Sequence, residues 1–110
     1  MTIKKTSSAY HMTHKPDENT VLSRRREVAW RPFDGEAILV YTAHDEICHL
    51  NPVAAYLWEA LDGRLDLRGI AGRLAEEFEV EQAEALSDAL TFAAELLGKG
   101  VVEVVSEEGL

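Results

Sequence analysis

Cysteine is nearly absent from this 110-residue sequence, which contains Cys48 alone. A single thiol excludes an internal disulfide, and such low cysteine usage is typical of a reducing compartment. The sequence also lacks a basic start followed by an apolar stretch and a small-residue cleavage site, the features of a signal peptide. We therefore expect a cytoplasmic protein whose fold depends on one hydrophobic core.

Long apolar runs are missing as well. The longest stretches without a polar side chain, 37–41 and 52–58, fall far short of the ~20 apolar residues that span a bilayer. Hydrophobic residues make up 46% of the chain and charged residues 28%, which is the balance of an ordinary globular protein. The sequence thus argues against a membrane protein and for a single folded domain.

Motifs of catalysis and metal binding are absent too: there is no glycine-rich phosphate loop, no nucleophile motif and no HExxH or CxxC spacing. Four potential metal ligands stand close together, namely His44, Asp45, Cys48 and His49. The last two are adjacent, and adjacent residues of a strand point to opposite faces, so they are poorly placed to share a metal ion. We predict that the protein is not an enzyme and needs neither a metal nor another cofactor.

Charge is distributed unevenly along the chain. Residues 1–31 carry a net charge of +4 and residues 32–110 one of −13. Because nucleic-acid binding depends on cations near phosphates, this acidic body argues against a nucleic-acid partner. Residues 1–27 show no sustained apolar period, so we interpret them as a flexible basic arm with solvated arginines at 24–26, in which only Val21-Leu22 could dock. The folded domain is predicted at 28–105, followed by a tail at 106–110.

The first half of the predicted domain has the pattern of a three-stranded antiparallel meander. Asp34-Gly35 separates two β-rich runs, which indicates a hairpin with a two-residue type I′ turn. This register places Trp30 opposite Leu39 and Val28 opposite Tyr41, on the face that we expect to be buried. Pro32 cannot donate to a ladder and therefore predicts that its strand lies at an edge of the sheet. A short third strand is predicted at 47–50.

Three helices are predicted to follow. Asn51-Pro52 is a good start for the first helix, and Asp62-Gly63 should end it. The second helix should begin near Asp66 and the third, which begins near Glu81, should run to Gly98, before a closing strand at 100–105. Strands followed by helices indicate an α+β fold.

The third helix has an apolar arc that covers roughly half its circumference, which is wider than a core-facing helix needs. One sector, with Phe92 and Leu96, can seal the core, and a second carries Leu86, Leu90 and Leu97. The second sector either packs on the rest of the fold or lines an apolar groove for a ligand or partner. Beside a free strand edge, such a groove suits an extended peptide.

The order of these short motifs resembles the PqqD family, which is named after the pyrroloquinoline quinone biosynthesis protein D. The matching stretches are VAWRPFDGE at 28–36, LNPVAAYLW at 50–58 and LDG at 61–63, followed downstream by residues 70–71, 74–78, 88, 92, 96 and 100–102. The resemblance extends over about residues 28–105.

This resemblance implies a winged helix-turn-helix-like domain that binds the leader of a ribosomally made precursor peptide. It further implies that the leader is presented to a modifying enzyme, often a radical SAM protein. In that family the leader adds to the third strand and lies against the third helix. Carried over to this sequence, the peptide-binding residues would be Ile47, Cys48, His49 and Leu50 on the strand and Leu86, Leu90, Ala93 and Leu97 on the helix.

Two other functions remain open from the residues alone. A winged-helix regulator would bind DNA, although its second and third helices offer only Arg68, Arg73 and Lys99 among many acids. Alternatively, the extra apolar face could be buried by another protein or by a second copy in a homodimer.

Overall fold

The computed structural model describes residues 15–41 and 46–107, and for residues 106 and 107 it describes the main chain. Six strands and three helices follow one another in these ranges, and they confirm the predicted α+β class. Their bounds are β1 Thr20–Arg24, β2 Ala29–Phe33, β3 Glu36–Tyr41, β4 Glu46–Leu50, α1 Pro52–Ala60, β5 Asp62–Asp66, α2 Leu67–Phe78, α3 Gln82–Lys99 and β6 Val102–Glu107. None of the helices in these ranges is long and apolar enough to cross a bilayer.

The predicted meander is present as an antiparallel sheet in the order β2-β3-β4. Asp34 and Gly35 both have positive φ, at 55° and 77°, as a type I′ turn requires. The turn sets the register, in which Trp30 lies opposite Leu39 and Leu39 opposite Cys48. Pro32 lies on an edge strand, as predicted.

A second sheet, in the order β5-β1-β6, was not predicted from the sequence. Its central strand is β1, and Leu22 of that strand is 0% exposed. The sequence predicted that the folded part begins near Val28. In the structure it already includes β1, which pairs with β5 and with β6. Residues 1–14 lie outside the described ranges.

Two of the three helices, α1 and α2, begin where their capping residues predict. The side chain of Asn51 accepts a hydrogen bond from the N–H of Ala54, with Pro52 in the first turn, and the side chain of Asp66 accepts one from the N–H of Gly69. These caps satisfy N–H groups that have no partner inside the helix. Asp62-Gly63 follows α1 as predicted, but the two residues form the start of β5.

The core lies between the inner face of the β2-β3-β4 sheet, strand β1 and the three helices. The largest fully buried apolar side chains are Trp58, Leu22, Leu39, Leu61, Leu67, Ile70, Leu74 and Val101. Trp30 packs edge-on against Trp58, with ring centroids 6.2 Å apart. This cluster connects the meander to α1.

Arg24 has a structural role that contradicts its interpretation as a solvated charge. Its Nη1 donates to the carbonyl oxygens of Trp58 at 2.9 Å and Glu59 at 2.6 Å, near the end of α1. The guanidinium also lies over the ring of Trp30, at 5.2 Å from its centroid. A cation is favourable at a helix C-terminus, and it is attracted to an aromatic face. Arg24 thus joins β1, β2 and α1.

We expect Arg24→Lys to lower the free energy of unfolding by about 1–2 kcal/mol, because an ammonium group cannot stack on Trp30 and also donate in the planar geometry of guanidinium. Chemical denaturation measures the loss. Exposed Arg26 provides the matched control, and Arg26→Lys should leave the unfolding free energy unchanged within about 0.5 kcal/mol. Equal losses in the two variants would contradict the assignment.

Candidate functional site

Strand β4 presents an open edge. Within 15–41 and 46–107, β3 is its single ladder partner. A two-residue hairpin is closed by a hydrogen-bonded pair, here Phe33 with Glu36, and hydrogen-bonded and non-bonded pairs alternate from there. Because alternate residues of β3 bond to opposite neighbours, Leu39 bonds to Cys48 of β4. The main-chain groups of Ile47 and His49 therefore point to the open edge.

The other edge of the same sheet is a poorer template for an added strand. By the same alternation, Trp30 and Pro32 of β2 direct their main chain outward. Proline has no N–H to donate, and its ring obstructs a strand that approaches the edge. Of the two outer strands of this sheet, β4 is the one that offers an uninterrupted row of donors and acceptors.

A groove of about 400 Å³ continues from the end of β4. Its walls are the first two turns of α1 and one side of α3. The lining residues are Asn51, Val53, Ala54, Leu57, Asp88, Thr91, Phe92 and Glu95. Leu57 is fully covered by its neighbours, whereas Val53, Ala54 and Phe92 are half-buried. The floor of the groove is thus apolar, and its rim on α3 is polar.

Helix α3 approaches both ends of β4, with its own C-terminal end near the start of the strand. The Nζ of Lys99 lies 3.9 Å from a carboxylate oxygen of Glu46. At the other end of the strand, Asn51 shares the groove with Asp88 and Glu95. The side of α3 that is nearest to β4 therefore carries Asp88, Phe92, Glu95 and Lys99.

The predicted strand residues divide between surface and core. Ile47 is 74% exposed, and His49 is exposed, with its Nε2 2.6 Å from Oε1 of Glu36. Cys48 is half-buried, whereas Leu50 is 7% exposed and belongs to the core. The main chain of Ile47 and His49 is available at the edge, but the side chain of Leu50 is not.

The predicted helix residues do not face β4. At about 100° per residue, Leu86, Leu90 and Leu97 lie on roughly the opposite side of α3 from Asp88, Glu95 and Lys99. All three leucines are half-buried and pack against the core. Ala93 is 1% exposed and is part of the core, so its side chain is covered in this structure.

The structure reveals a helix side that the sequence interpretation missed. From the sequence, Phe92 is expected in the sector that seals the core, and Asp88, Thr91 and Glu95 lie on the polar side, outside the apolar arc. Their spacing of three, four and seven residues, which puts them on one side of a helix, was the available signal. Which element that side faces depends on where α3 packs.

The metal-ligand candidates are not assembled in the part of the chain that the structure describes. No group of three or more His, Cys, Asp or Glu side chains in these ranges could hold a metal ion. His44 and Asp45 lie outside the described residues.

Comparison with known proteins provides two kinds of match. The sequence model of the family "Coenzyme PQQ synthesis protein D (PqqD)" matches residues 36–102. No curated protein matches the sequence. Solved structures, however, match the fold closely.

Three solved structures share the fold at low sequence identity. TbiB1 in complex with the TbiA(beta) leader peptide has a TM-score of 0.67 and 20% identity over 74% of this chain and 94% of that chain. Lasso peptide synthetase B1, complexed with the leader peptide, has a TM-score of 0.66 and 24% identity, and the match covers 74% of this chain and 96% of that chain. The third structure is the PqqD truncation of Methylobacterium extorquens PqqCD, a functional and stand-alone recognition element for ribosomally synthesised and post-translationally modified peptides. It has a TM-score of 0.66 and 22% identity, and the match covers 83% of this chain and 96% of that chain.

Proposed function

The chain belongs to the PqqD family, and on this premise we propose that it is a non-catalytic module that binds the leader of a ribosomally synthesised precursor peptide. The leader adds to the open edge of β4 as a further antiparallel or parallel strand. The observation that carries the proposal is this edge, with the outward main chain of Ile47 and His49, beside a groove between α1 and α3. Strand addition obtains affinity from main-chain hydrogen bonds and specificity from alternate side chains.

The path of the peptide follows from the geometry of the sheet. Side chains of an added strand alternate between its two faces. One set continues the inner face next to Cys48 and reaches α3 and the groove. The other set lies next to Ile47, whose exposed side chain stands opposite Val40 on the outer face. Two solved structures of this fold hold a leader peptide, which supports the binding of a leader by this fold.

The proposed role is to present the peptide to a modifying enzyme, such as a radical SAM protein, in the cytoplasm. The module itself supplies no chemistry in this proposal. In this proposal, the domain that binds the peptide comprises residues 28–105 together with β1.

DNA binding receives less support from the charges on the helices. Nη2 of Arg68 on α2 lies 3.1 Å from a carboxylate oxygen of Glu18. The hydrogen bond to Glu18 and its charge raise the pKa of this guanidinium. On α3, Lys99 lies beside Glu46. Two of the three cations on α2 and α3 are thus engaged by carboxylates of the same chain, which a phosphate backbone would have to displace.

Self-association is a second use of the same edge, since two open β4 strands could pair around a two-fold axis. Sedimentation of the full chain over a range of concentrations tests it. A monomer that binds a peptide supports the module. A tight dimer whose formation is prevented by a substitution in β4, and which binds no peptide, would replace it.

Phe92 and Leu90 provide a matched test of the helix side that contacts the peptide. We expect Phe92→Ala to raise the Kd of the leader about tenfold, because it removes an aromatic anchor from the groove. Leu90→Ala removes a half-buried side chain from the other side of α3 and should leave the Kd unchanged. Isothermal titration of the full chain measures both, with a synthetic leader from any short precursor that is found encoded beside its gene.

The unfolding midpoints of both variants separate affinity from stability. A loss of affinity in Leu90→Ala but not in Phe92→Ala would assign the peptide to the side with the three leucines. If the wild-type chain does not bind the leader at all, the proposed function is wrong.

A further inference from the structure

The groove that continues from the end of β4 combines an apolar floor with a rim of one charge. Val53, Ala54 and Leu57 form the wall on α1, and Phe92 faces them from α3. Asp88 and Glu95, which are both exposed, stand one turn to either side of Phe92. Within the described residues, no lysine or arginine lines the groove.

The nearest cation on α3 does not neutralise the whole rim. Lys99 stands one turn beyond Glu95 on the same side of α3, and its Nζ lies 3.9 Å from a carboxylate oxygen of Glu46 at the start of β4. The capped N-terminus of α1 is the remaining positive feature, and its N–H of Ala54 is already bonded to Asn51. A cationic side chain that enters the groove therefore meets Asp88, which has no lysine or arginine within one turn on α3, and Glu95, whose nearest cation on the helix is Lys99.

The spacing of the rim matches that of an extended peptide. Along the helix axis, Asp88 lies about 6 Å from Phe92, and Glu95 lies about 4.5 Å from it. Side chains on the same face of a strand recur about every 6.6 Å. A peptide residue that contacts Phe92 thus places its neighbours two positions away next to Asp88 and Glu95. The long stems of lysine and arginine also cover apolar surface while their charges stay in water.

Resting on the proposed function, we infer that the groove selects leaders with a lysine or arginine two positions from an apolar residue. The apolar side chain contacts Phe92 and the wall on α1. The cation lies beside Asp88 or Glu95. The occupant of the groove is therefore a basic, extended segment of the leader, and its capture is continuous with strand addition at β4.

A selection from a library of random dodecapeptides tests this inference. The full chain is immobilised, and peptides that also bind the Ile47→Pro variant are removed, so that the remaining peptides use the edge. We expect the pattern of a basic and an apolar residue two positions apart to be enriched. For the enriched peptides, the double variant Asp88→Asn/Glu95→Gln should raise the Kd roughly fivefold, and this difference should shrink between about 0.05 M and 0.5 M salt.

The control is Glu76→Gln/Glu77→Gln, which removes the same charge from the exposed side of α2 and should not change the Kd. Edge-dependent peptides without the basic pattern, or equal effects of the two double variants, would overturn the selectivity and leave the proposed function intact. Failure to enrich any edge-dependent peptide would overturn the proposed function, and the selectivity with it.

Discussion

Replacing Ile47 with proline is expected to raise the Kd of the leader at least about tenfold. Proline removes the outward N–H of Ile47, and its ring obstructs an approaching strand. The outward direction of this main chain follows from the hairpin register, in which Leu39 bonds to Cys48 on one side of Ile47. Titration calorimetry with the synthetic leader measures the effect.

Two further substitutions in β4 make this test specific. Ile47→Ala keeps the main-chain donor and should retain most of the affinity, because it removes only the side chain on the outer face. Proline is tolerated where an edge N–H faces solvent, so Ile47→Pro should still unfold cooperatively. Cys48→Pro removes an N–H that bonds to β3 and should instead destabilise the sheet. Unchanged binding by a folded Ile47→Pro protein would exclude strand addition at β4.

The second large effect concerns β1. A chain that starts at Val28 lacks the central strand of the β5-β1-β6 sheet and the fully buried Leu22. Without β1, both β5 and β6 lose their partner and expose edges. Domains are stable by only about 5–15 kcal/mol, so we expect this truncated chain to lose its cooperative unfolding transition. Thermal unfolding followed by circular dichroism measures it.

A chain that starts at Lys15 is the matched control, since it keeps β1 with its described contacts and should unfold cooperatively. The single substitution Leu22→Ala tests the contribution of β1 to stability without truncation. We expect it to lower the free energy of unfolding by about 3 kcal/mol. A cooperative transition of equal midpoint in the chain from Val28 would show that β1 contributes nothing to stability. That result would restore a domain boundary at residue 28.

Local interactions explain the elements that were predicted correctly. The turn at Asp34-Gly35 needs positive φ at two successive residues, and few sequences provide it, so the β2-β3 hairpin and its register could be predicted. Asn51 and Asp66 bond to N–H groups three residues away, so the helix starts depend on neighbours in the sequence. The family resemblance rests on the same short motifs in their order.

The second sheet could not be predicted because its partners are distant in the sequence. Leu22 pairs with Val104, and Ser23 with Asp62. Residues 62–66 are mostly polar, and neither they nor residues 20–24 are long enough to show a clear strand period. A strand of this kind exists only once its neighbours are in place, since the ladder is formed between segments rather than within one.

The sequence by itself determined the hairpin, the helix starts and the presence of an over-wide apolar arc on α3, because each depends on residues within a few positions of one another. Only the tertiary structure decided which side of α3 is nearest to β4. That side carries Phe92 and two carboxylates, whereas the sequence alone had favoured the side with the three leucines. The angular spacing of residues around a helix is a local property, but the direction in which each face points is set by the packing of the whole chain.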